Sequence, residues 1–446
     1  MKEHKRSLWG SKIGFILATA GSAIGLGNIQ RFPYLTAKSG GAGFLFVYLI
    51  CVFLLGFPLI LNEFALGRHT SRNPVCGIKK IAPKGAWKGI GFLGIMTAFL
   101  ILTYYSVVGG WTIGYIFESL LLKTPKLENF IQNPLASIGN MAIFLAIVVL
   151  IVQKGIKKGI EKYCKILMPL LFILLLILMI RSVTLKGSYE GLVYYLKPDF
   201  SKISGSVILL ALSQAFFSLS IGEAVLVTYG SYASKKENLF SSAFYVVIFD
   251  TLIAVLAGLV IFPALFAFDM PVDQGVGLVF KILPQIFEQM HFGFLFSALF
   301  FTLLAFAAIT TGIALLEMPV TYLIDSRKWT RKKAVTVMGI LAFILGIPSA
   351  LSKGAVSWLS DMKIESLSLV GFYDIMDFFW GSLGMVLGGW LLAIFVGWKW
   401  KLKEPAMELK KGSSYFHYYE PLWKFMIRYG APVIIFIILL NLFNFS

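Results

Sequence analysis

Three short polar stretches interrupt otherwise apolar sequence, and each offers the hard oxygen ligands that a small cation takes. The first is Gly21-Ser22-Ala23-Ile24-Gly25-Leu26-Gly27-Asn28-Ile29-Gln30-Arg31-Phe32-Pro33, with alternating glycines followed by Asn, Gln and Arg. The second is Ser213-Gln214-Ala215-Phe216-Phe217-Ser218-Leu219-Ser220-Ile221-Gly222-Glu223. The third is Phe306-Ala307-Ala308-Ile309-Thr310-Thr311-Gly312, where Ala307, Thr310 and Thr311 stand at i, i+3 and i+4 and share one helix face. A Gly inside a helix costs about 1 kcal/mol relative to Ala, and in lipid a freed carbonyl must find a partner. A broken helix is tolerated where it lines a cavity and its open carbonyls hold an ion. Taken singly, each stretch also has a plainer use. Glycines allow close helix packing, and Thr-Thr in a membrane helix back-bonds to the preceding turn.

The elements that must position these residues are long apolar runs. The chain has 446 residues, 58% hydrophobic and only 14% charged, whereas soluble domains carry roughly 25% charged residues. That composition excludes an ordinary water-soluble globule. A membrane span needs about 20 mostly apolar residues. Eleven candidates run near 13–30, 42–66, 89–122, 136–153, 165–180, 206–230, 239–268, 292–324, 334–351, 366–398 and 429–445. The polar stretches fall on the first, sixth and eighth. Broken helices at matching positions of two five-span halves point to an inverted-repeat transporter with its site at the midplane. The expectation is an all-α polytopic membrane protein with one transporter domain over 1–446. Repeat one covers about 9–181, repeat two about 206–398, and an eleventh span about 429–445.

The net charge of +18 sits between the apolar runs. With the N-terminus inside, cytoplasmic segments hold 29 of the 40 Lys+Arg and the other face holds 11. The positive-inside rule therefore sets a cytoplasmic N-terminus and, after eleven spans, a C-terminus outside, in the plasma (inner) membrane. Read this way, the basic excess is a topology signal with some contact to anionic lipid, and no nucleic-acid partner is expected. Ala18-Thr19-Ala20 has the look of a leader cleavage site, but apolar sequence continues through Leu26, which argues against a removed signal peptide. Cys51, Cys76 and Cys164 are too isolated for a disulfide framework, and His4, His69, His291 and His417 are too scattered for a metal cluster. Walker, H-E-x-x-H and G-x-S-x-G motifs are missing, so the chain is not read as an enzyme.

An ordered set of residues resembles the neurotransmitter:sodium symporter family, with its LeuT-type 5+5 inverted repeat. It begins with Trp9-Gly10-Ser11-Lys12, Gly21 through Asn28 and Arg31-Phe32-Pro33. It continues with Gly40-Gly41, Phe57-Pro58-Leu59, Glu63, Gly67-Arg68, Tyr104-Tyr105 and Trp111. Phe216 through Gly222, Asp250-Thr251-Leu252 and Asp374-Ile375-Met376-Asp377 complete it, so it spans almost the whole chain. The family's twelfth span is missing, as in many bacterial members with eleven.

The resemblance implies two Na+ sites. One would use the Ala23 carbonyl, the Asn28 amide oxygen, Ser218 and Asp250, completed by the substrate carboxylate. The other would use the Gly21 and Ile24 carbonyls with Ala307, Thr310 and Thr311. An amino-acid carboxylate would meet Tyr105 and the half-helix amides near Leu26 and Gly27, where the helix dipole favours an anion. Its ammonium would meet carbonyls around Ala23, Phe217 and Ser220. Ile101, Phe217, Ser220, Glu223 and Leu315 would line the side-chain pocket, with Ser22, Ser218 and Thr311 completing the substrate set. Tyr105 and Phe217 would form the inner lid of the outward path, with Arg31 and Asp377 above it. Arg6 and Asp325 would close the cytoplasmic side. Gly159 and Pro169 weaken the start of span five, where unwinding would admit water.

The implied function is sodium-coupled import of an amino acid by alternating access, hydrophobic or aromatic in kind. The partners are that amino acid and the lipid bilayer. Proton coupling stays open, since Glu63, Glu223, Asp250 and Glu317 are acidic residues at membrane depth. The different-class alternative is a channel or receptor on the same scaffold, against which the paired broken helices argue. Glu223 departs from the family, whose members commonly place Phe or Met there. Its candidate partners are the substrate, Gln214, Ser220 or a trapped water. In chloride-dependent relatives a chloride sits near the first sodium site, a neighbourhood where Asp250 offers a fixed negative charge. No chloride requirement is therefore expected, and uptake should persist when gluconate replaces chloride. The comparison is made in wild type and in Asp250→Ser, and a strict chloride requirement in wild type refutes it.

Overall fold

The computed structural model describes residues 7–271 and 277–443. Among them nine helices are long and apolar enough to cross a membrane. They are Ala42–Thr70, Lys88–Leu120, Pro134–Gln153, Ile156–Val183, Leu239–Ala267, Gly293–Arg327, Arg331–Leu351, Phe372–Lys401 and Phe416–Leu442. Two further spans are broken. The first joins Lys12–Ala23 to Gly27–Lys38 across a bend of 53°. The sixth joins Gly205–Ser218 to Val225–Ser231 through an unwound 219–224.

Both breaks follow from local backbone chemistry. Ile24 adopts an extended conformation (φ −72°, ψ 102°) directly after the first half-helix. In the sixth span Ser220 (φ 50°) and Ala224 (φ 63°) occupy the left-handed region, where a non-glycine residue is strained by about 1–3 kcal/mol. Gly222 (φ 90°) lies between them, and a Cβ there would meet the Met385 carbonyl at 2.1 Å. Only glycine fits that position.

The eighth span is 83% buried over its most apolar stretch and the third 72%, against 28% for the fifth and 33% for the last. The eighth, with the third and the equally buried second, therefore lies at the centre of the molecule, and the fifth and last turn apolar faces outward. The broken spans pack against this centre.

Span ends differ from the sequence expectation where charge and helix coexist. The fifth begins at Ile156 rather than near 165, with Lys157, Lys158 and Lys162 in its first turns. Long Lys side chains carry their charge out to the interface while their stems stay on the helix. The last span begins at Phe416 rather than near 429, because the buried Trp423 docks on the second span and donates to the Pro58 carbonyl at 3.2 Å. The tenth begins at Phe372 rather than near 366. Ahead of it lies a small antiparallel pairing, Lys363 with Val370 and Ile364 with Leu369.

At the end of the second span Arg68, fully buried, forms the centre of a polar latch. Its Nε donates to Glu408 Oε1 at 2.8 Å, and its terminal nitrogens donate to the Glu237 and Glu408 carbonyls. Lys411 Nζ lies 2.5 Å from Glu408 Oε2 and Lys235 Nζ 3.5 Å from Oε1. The short helix Lys403–Lys410 is thereby tied to the second span and to the loop before the seventh. Burial pushes the Glu408 carboxyl up, but Lys411, Arg68 and Lys235 outweigh it and hold it below the usual carboxylate range. A carboxyl depressed on folding adds stability above its ordinary value of 4.5 and loses it as pH falls through the lower folded value. Glu408→Gln leaves Arg68 buried without its counter-charge and should cost about 3–5 kcal/mol. Thermal unfolding in detergent checks this. The variant should melt well below wild type at pH 7, and the gap should close on acidification below the carboxylate range; equal melting at pH 7 refutes the latch.

Candidate functional site

The first and sixth spans are held together at their breaks by side chains from each other. Asn28, one turn past the first break, donates through Nδ2 to Ser218 Oγ (3.0 Å), Asp250 Oδ1 (2.8 Å) and the Asp250 carbonyl (3.1 Å). Ser218 Oγ in turn donates to Asp250 Oδ2 at 2.7 Å. All three residues are buried. The sixth and seventh spans thus aim three oxygens at one small volume, and the Asn28 amide NH2 of the first span stands where they converge. The same oxygens suit a hard cation, which prefers carbonyl, hydroxyl and carboxylate donors. Among the described residues no group of three or more His, Cys, Asp or Glu comes together, so nothing there favours a transition metal. One expected detail changes. Asn28 Oδ1 does not face Ser218 and Asp250; it accepts from the Gly25 N–H at 3.1 Å, because that donor is freed by the break.

The second cluster joins the first span to the eighth. Thr311 Oγ1 donates to the Ile24 carbonyl at 3.3 Å. Thr310 Oγ1 bonds back to Phe306 O (3.1 Å) and Ala307 O (3.0 Å), as a hydroxyl in an apolar helix commonly does. A Cβ on Gly21 would lie 3.1 Å from both Thr310 Cβ and Met168 Sδ. Gly21, Ile24, Ala307, Thr310 and Thr311 are therefore neighbours.

Between the clusters lie the residues expected around a ligand. Ser220 Oγ donates to the Ser22 carbonyl at 3.3 Å, across the two breaks. A Cβ on Gly25 would meet Thr311 Oγ1 at 2.8 Å and the Tyr105 hydroxyl at 3.1 Å, and one on Gly27 would meet Phe217 Cε1 at 2.8 Å. Tyr105 and Phe217 therefore flank the broken backbone on either side. Ala23, Leu26, Ile101 and Leu315 are buried. Two partners were not foreseen in these roles. Gln214 Nε2 donates to the Gly27 carbonyl at 3.1 Å, and Glu63 Oε1 accepts from the Gly222 N–H at 2.9 Å. Their signal in the sequence is a polar residue inside an apolar run, which marks a functional place without naming its partner. Neither Gln214 nor Ser220 engages Glu223.

The two ends of the site are closed. On one side the Arg31 guanidinium stacks over Phe217 at 4.4 Å from the ring centre. Arg31 and Asp377 make no ion pair; Asp377 Oδ1 and the Tyr104 hydroxyl instead pack around Gly381, at 2.7 and 2.3 Å from where a Cβ would stand. A cavity of about 10 Å³ remains there, lined by Arg31, Ser213, Phe217, Gly381 and Met385 among others. That is room for roughly one water. On the other side Trp9 Nε1 donates to the Tyr229 carbonyl (3.0 Å) and Trp9 N to the Tyr232 carbonyl (3.1 Å). Glu161 accepts from Gly10 N (2.6 Å), Ser11 Oγ (2.9 Å) and Lys165 Nζ (2.6 Å). Asp325 Oδ2 accepts from the Asn73 backbone (3.0 Å) and side chain (3.1 Å). Arg6 lies outside the described residues. Span five is helical through Gly159 and Pro169, so the expected unwinding is not seen in this closed arrangement.

The family model described as Sodium:neurotransmitter symporter family matches residues 6–133 and 123–446. The chain is 38% identical over 451 residues to an uncharacterized sodium-dependent transporter of Bacillus subtilis, YhdH, covering 99% of each chain. It is 32% identical over 467 residues to another from Methanocaldococcus jannaschii, MJ1319, covering 98% of this chain and 90% of that one. Its fold is similar to the crystal structure of MhsT in complex with L-phenylalanine, with a TM-score of 0.89 and 41% identity over 98% of this chain and 100% of that one.

Proposed function

The chain belongs to the sodium:neurotransmitter symporter family, and from that premise we propose that it imports an amino acid by sodium-coupled symport through alternating access. The observation that carries this reading is the convergence of Ser218 Oγ and the Asp250 oxygens on one buried amide group between two broken helices. The first Na+ is held by those oxygens with the Ala23 carbonyl and Asn28. The second is held by the Gly21, Ile24 and Ala307 carbonyls with Thr310 and Thr311. The Asp250 carboxylate supplies the fixed charge, so transport proceeds without chloride.

Asn28 provides the coupling. Its amide has one oxygen and one nitrogen, and here the oxygen serves the Gly25 N–H. Turning the amide so that its oxygen faces a cation removes the acceptor from Gly25. That backbone donor is then free for a substrate carboxylate, beside the Tyr105 hydroxyl. Cation and carboxylate each favour the arrangement that admits the other, which is the reciprocity any linked pair of ligands must show. The apolar wall of Ile101, Phe217 and Leu315 supports a hydrophobic or aromatic substrate, as does the L-phenylalanine bound by the neighbouring MhsT structure. The basic segments face the cytoplasm and the C-terminus lies outside.

Asn28→Ala removes both halves of the exchange, and Thr310→Val replaces a hydroxyl by a methyl at nearly constant volume. Each should raise the sodium needed for substrate binding, by about 1–3 kcal/mol of lost polar contact. Equilibrium binding measured across a sodium titration at constant ionic strength checks it. Equal binding of substrate in potassium and sodium by wild type would overturn the proposal.

A further inference from the structure

The unwound segment of the sixth span carries a carboxylate that nothing in the fold uses. Glu223 follows Gly222 (φ 90°) and precedes Ala224 (φ 63°), so its root is fixed by backbone that has little freedom to turn. It is 5% exposed and makes no hydrogen bond or ion pair with any described residue. The other buried acids of the spans are engaged. Asp250 has Asn28 and Ser218, Glu317 has Arg331, Tyr232 and Thr321, and Glu63 has the Gly222 N–H. Glu63, Tyr104 and Tyr105 are the titratable groups that act on Glu223 electrostatically, and among the described residues no Lys, Arg or His does so.

The unwound segment itself places this carboxylate beside the candidate site. The Tyr105 hydroxyl lies beside Gly25 and Thr311, at the first break. Ser220, three residues before Glu223, bonds the Ser22 carbonyl across the same gap. Glu223 is thus an acceptor with no donor, beside the break where the Tyr105 and Thr311 hydroxyls lie. A side chain of plain hydrocarbon entering the site would leave the carboxylate desolvated and unpaired, which is the costly arrangement.

We infer that Glu223 is a specificity-determining residue that selects an amino acid whose side chain ends in a hydrogen-bond donor (phenol, indole or ammonium) over one of the same size without it. This rests on the reading of the site as an amino-acid site. A pocket built to bond a donor rejects the analogue that lacks it far more strongly than an apolar pocket rejects a misfit, because the buried acceptor is left unpaired.

The test uses the full chain in detergent with sodium present, and three pairs that differ at the side-chain end. They are tyrosine and phenylalanine, tryptophan and 1-methyltryptophan, and lysine and norleucine. In at least one pair the donor-bearing member should bind about tenfold more tightly, the size one hydrogen bond to a charged group supplies. Glu223→Met should bring that ratio close to one. Glu223→Gln separates the sources: a preference for phenol or indole survives in it, whereas a preference for ammonium disappears with the charge. Equal binding within all three pairs in wild type overturns the inference, and marks a resident water as the partner of Glu223. A ratio unchanged in Glu223→Met overturns it as well, and if that variant does not fold the wild-type ratios decide. If none of the twenty amino acids binds in a sodium-dependent way, the amino-acid reading itself has failed and this inference falls with it. Sodium-dependent binding with equal pairs is the failure of the present inference alone.

Discussion

Where a helix breaks inside a membrane, its freed N–H and C=O groups have no water to turn to and must be met by protein. Here the two broken spans meet that demand partly within and between themselves and partly through the second and eighth spans. The Gly25 N–H is met by Asn28, the Ile24 carbonyl by Thr311, the Ser22 carbonyl by Ser220 and the Gly27 carbonyl by Gln214. The Gly222 N–H is met by Glu63 from the second span. Two of these bonds, Ser220 to Ser22 and Gln214 to Gly27, tie the sixth span directly to the first. The register of the first span against the sixth is therefore set by polar pairing, and the surrounding apolar packing has only to be compatible with it.

That constraint explains what could be read in the sequence. Alternating glycines before Asn28, the Ser218/Ser220 pair and the Thr310-Thr311 face are residue types with a cost in lipid, so their presence there signals a use. Asn28 itself was legible, but the direction of its amide was not. An amide presents the same shape either way round, and only the neighbouring Gly25 N–H and the Asp250 carboxylate decide which end faces which. Gln214 and Glu63 were legible as polar residues at depth and illegible as caps, because the groups they serve belong to spans distant in sequence. The early start of the fifth span was hidden for a different reason. Its first turns carry Lys157, Lys158, Glu161 and Lys162, which reads as loop, whereas Glu161 is paired with the chain before the first span and with Lys165. The Arg31 and Asp377 gate was placed by resemblance, and here the cation lies on an aromatic face instead.

The two closures of the site differ in kind, and the difference bears on how each opens. At the Arg31 end closure consists of a guanidinium lying over the Phe217 ring, with Nη1 left without a hydrogen-bond partner. A cation over a ring is held mainly by the ring's quadrupole, tolerates sliding, and is worth about 0.5–2 kcal/mol. Its loss on opening is partly offset when water reaches the unsatisfied nitrogen. At the Trp9 end closure consists of directional bonds: Trp9 to the Tyr229 and Tyr232 carbonyls, and Gly10 and Ser11 to Glu161. The acceptors of that second set are backbone carbonyls and a buried carboxylate, so breaking it strands groups that cost more unpaired than the bonds are worth. Opening at Trp9 is thus the harder motion in this arrangement. Since Glu161 sits in the first turns of the fifth span, the first span cannot swing away from it unless those turns move as well. Gly159 and Pro169, expected from the sequence to weaken this start, lie on the element whose first turns hold Gly10 and Ser11. A change that loosened those turns would release Gly10 and Ser11 together, whereas the two Trp9 bonds, which end on Tyr229 and Tyr232 at the end of the sixth span, would have to be broken separately.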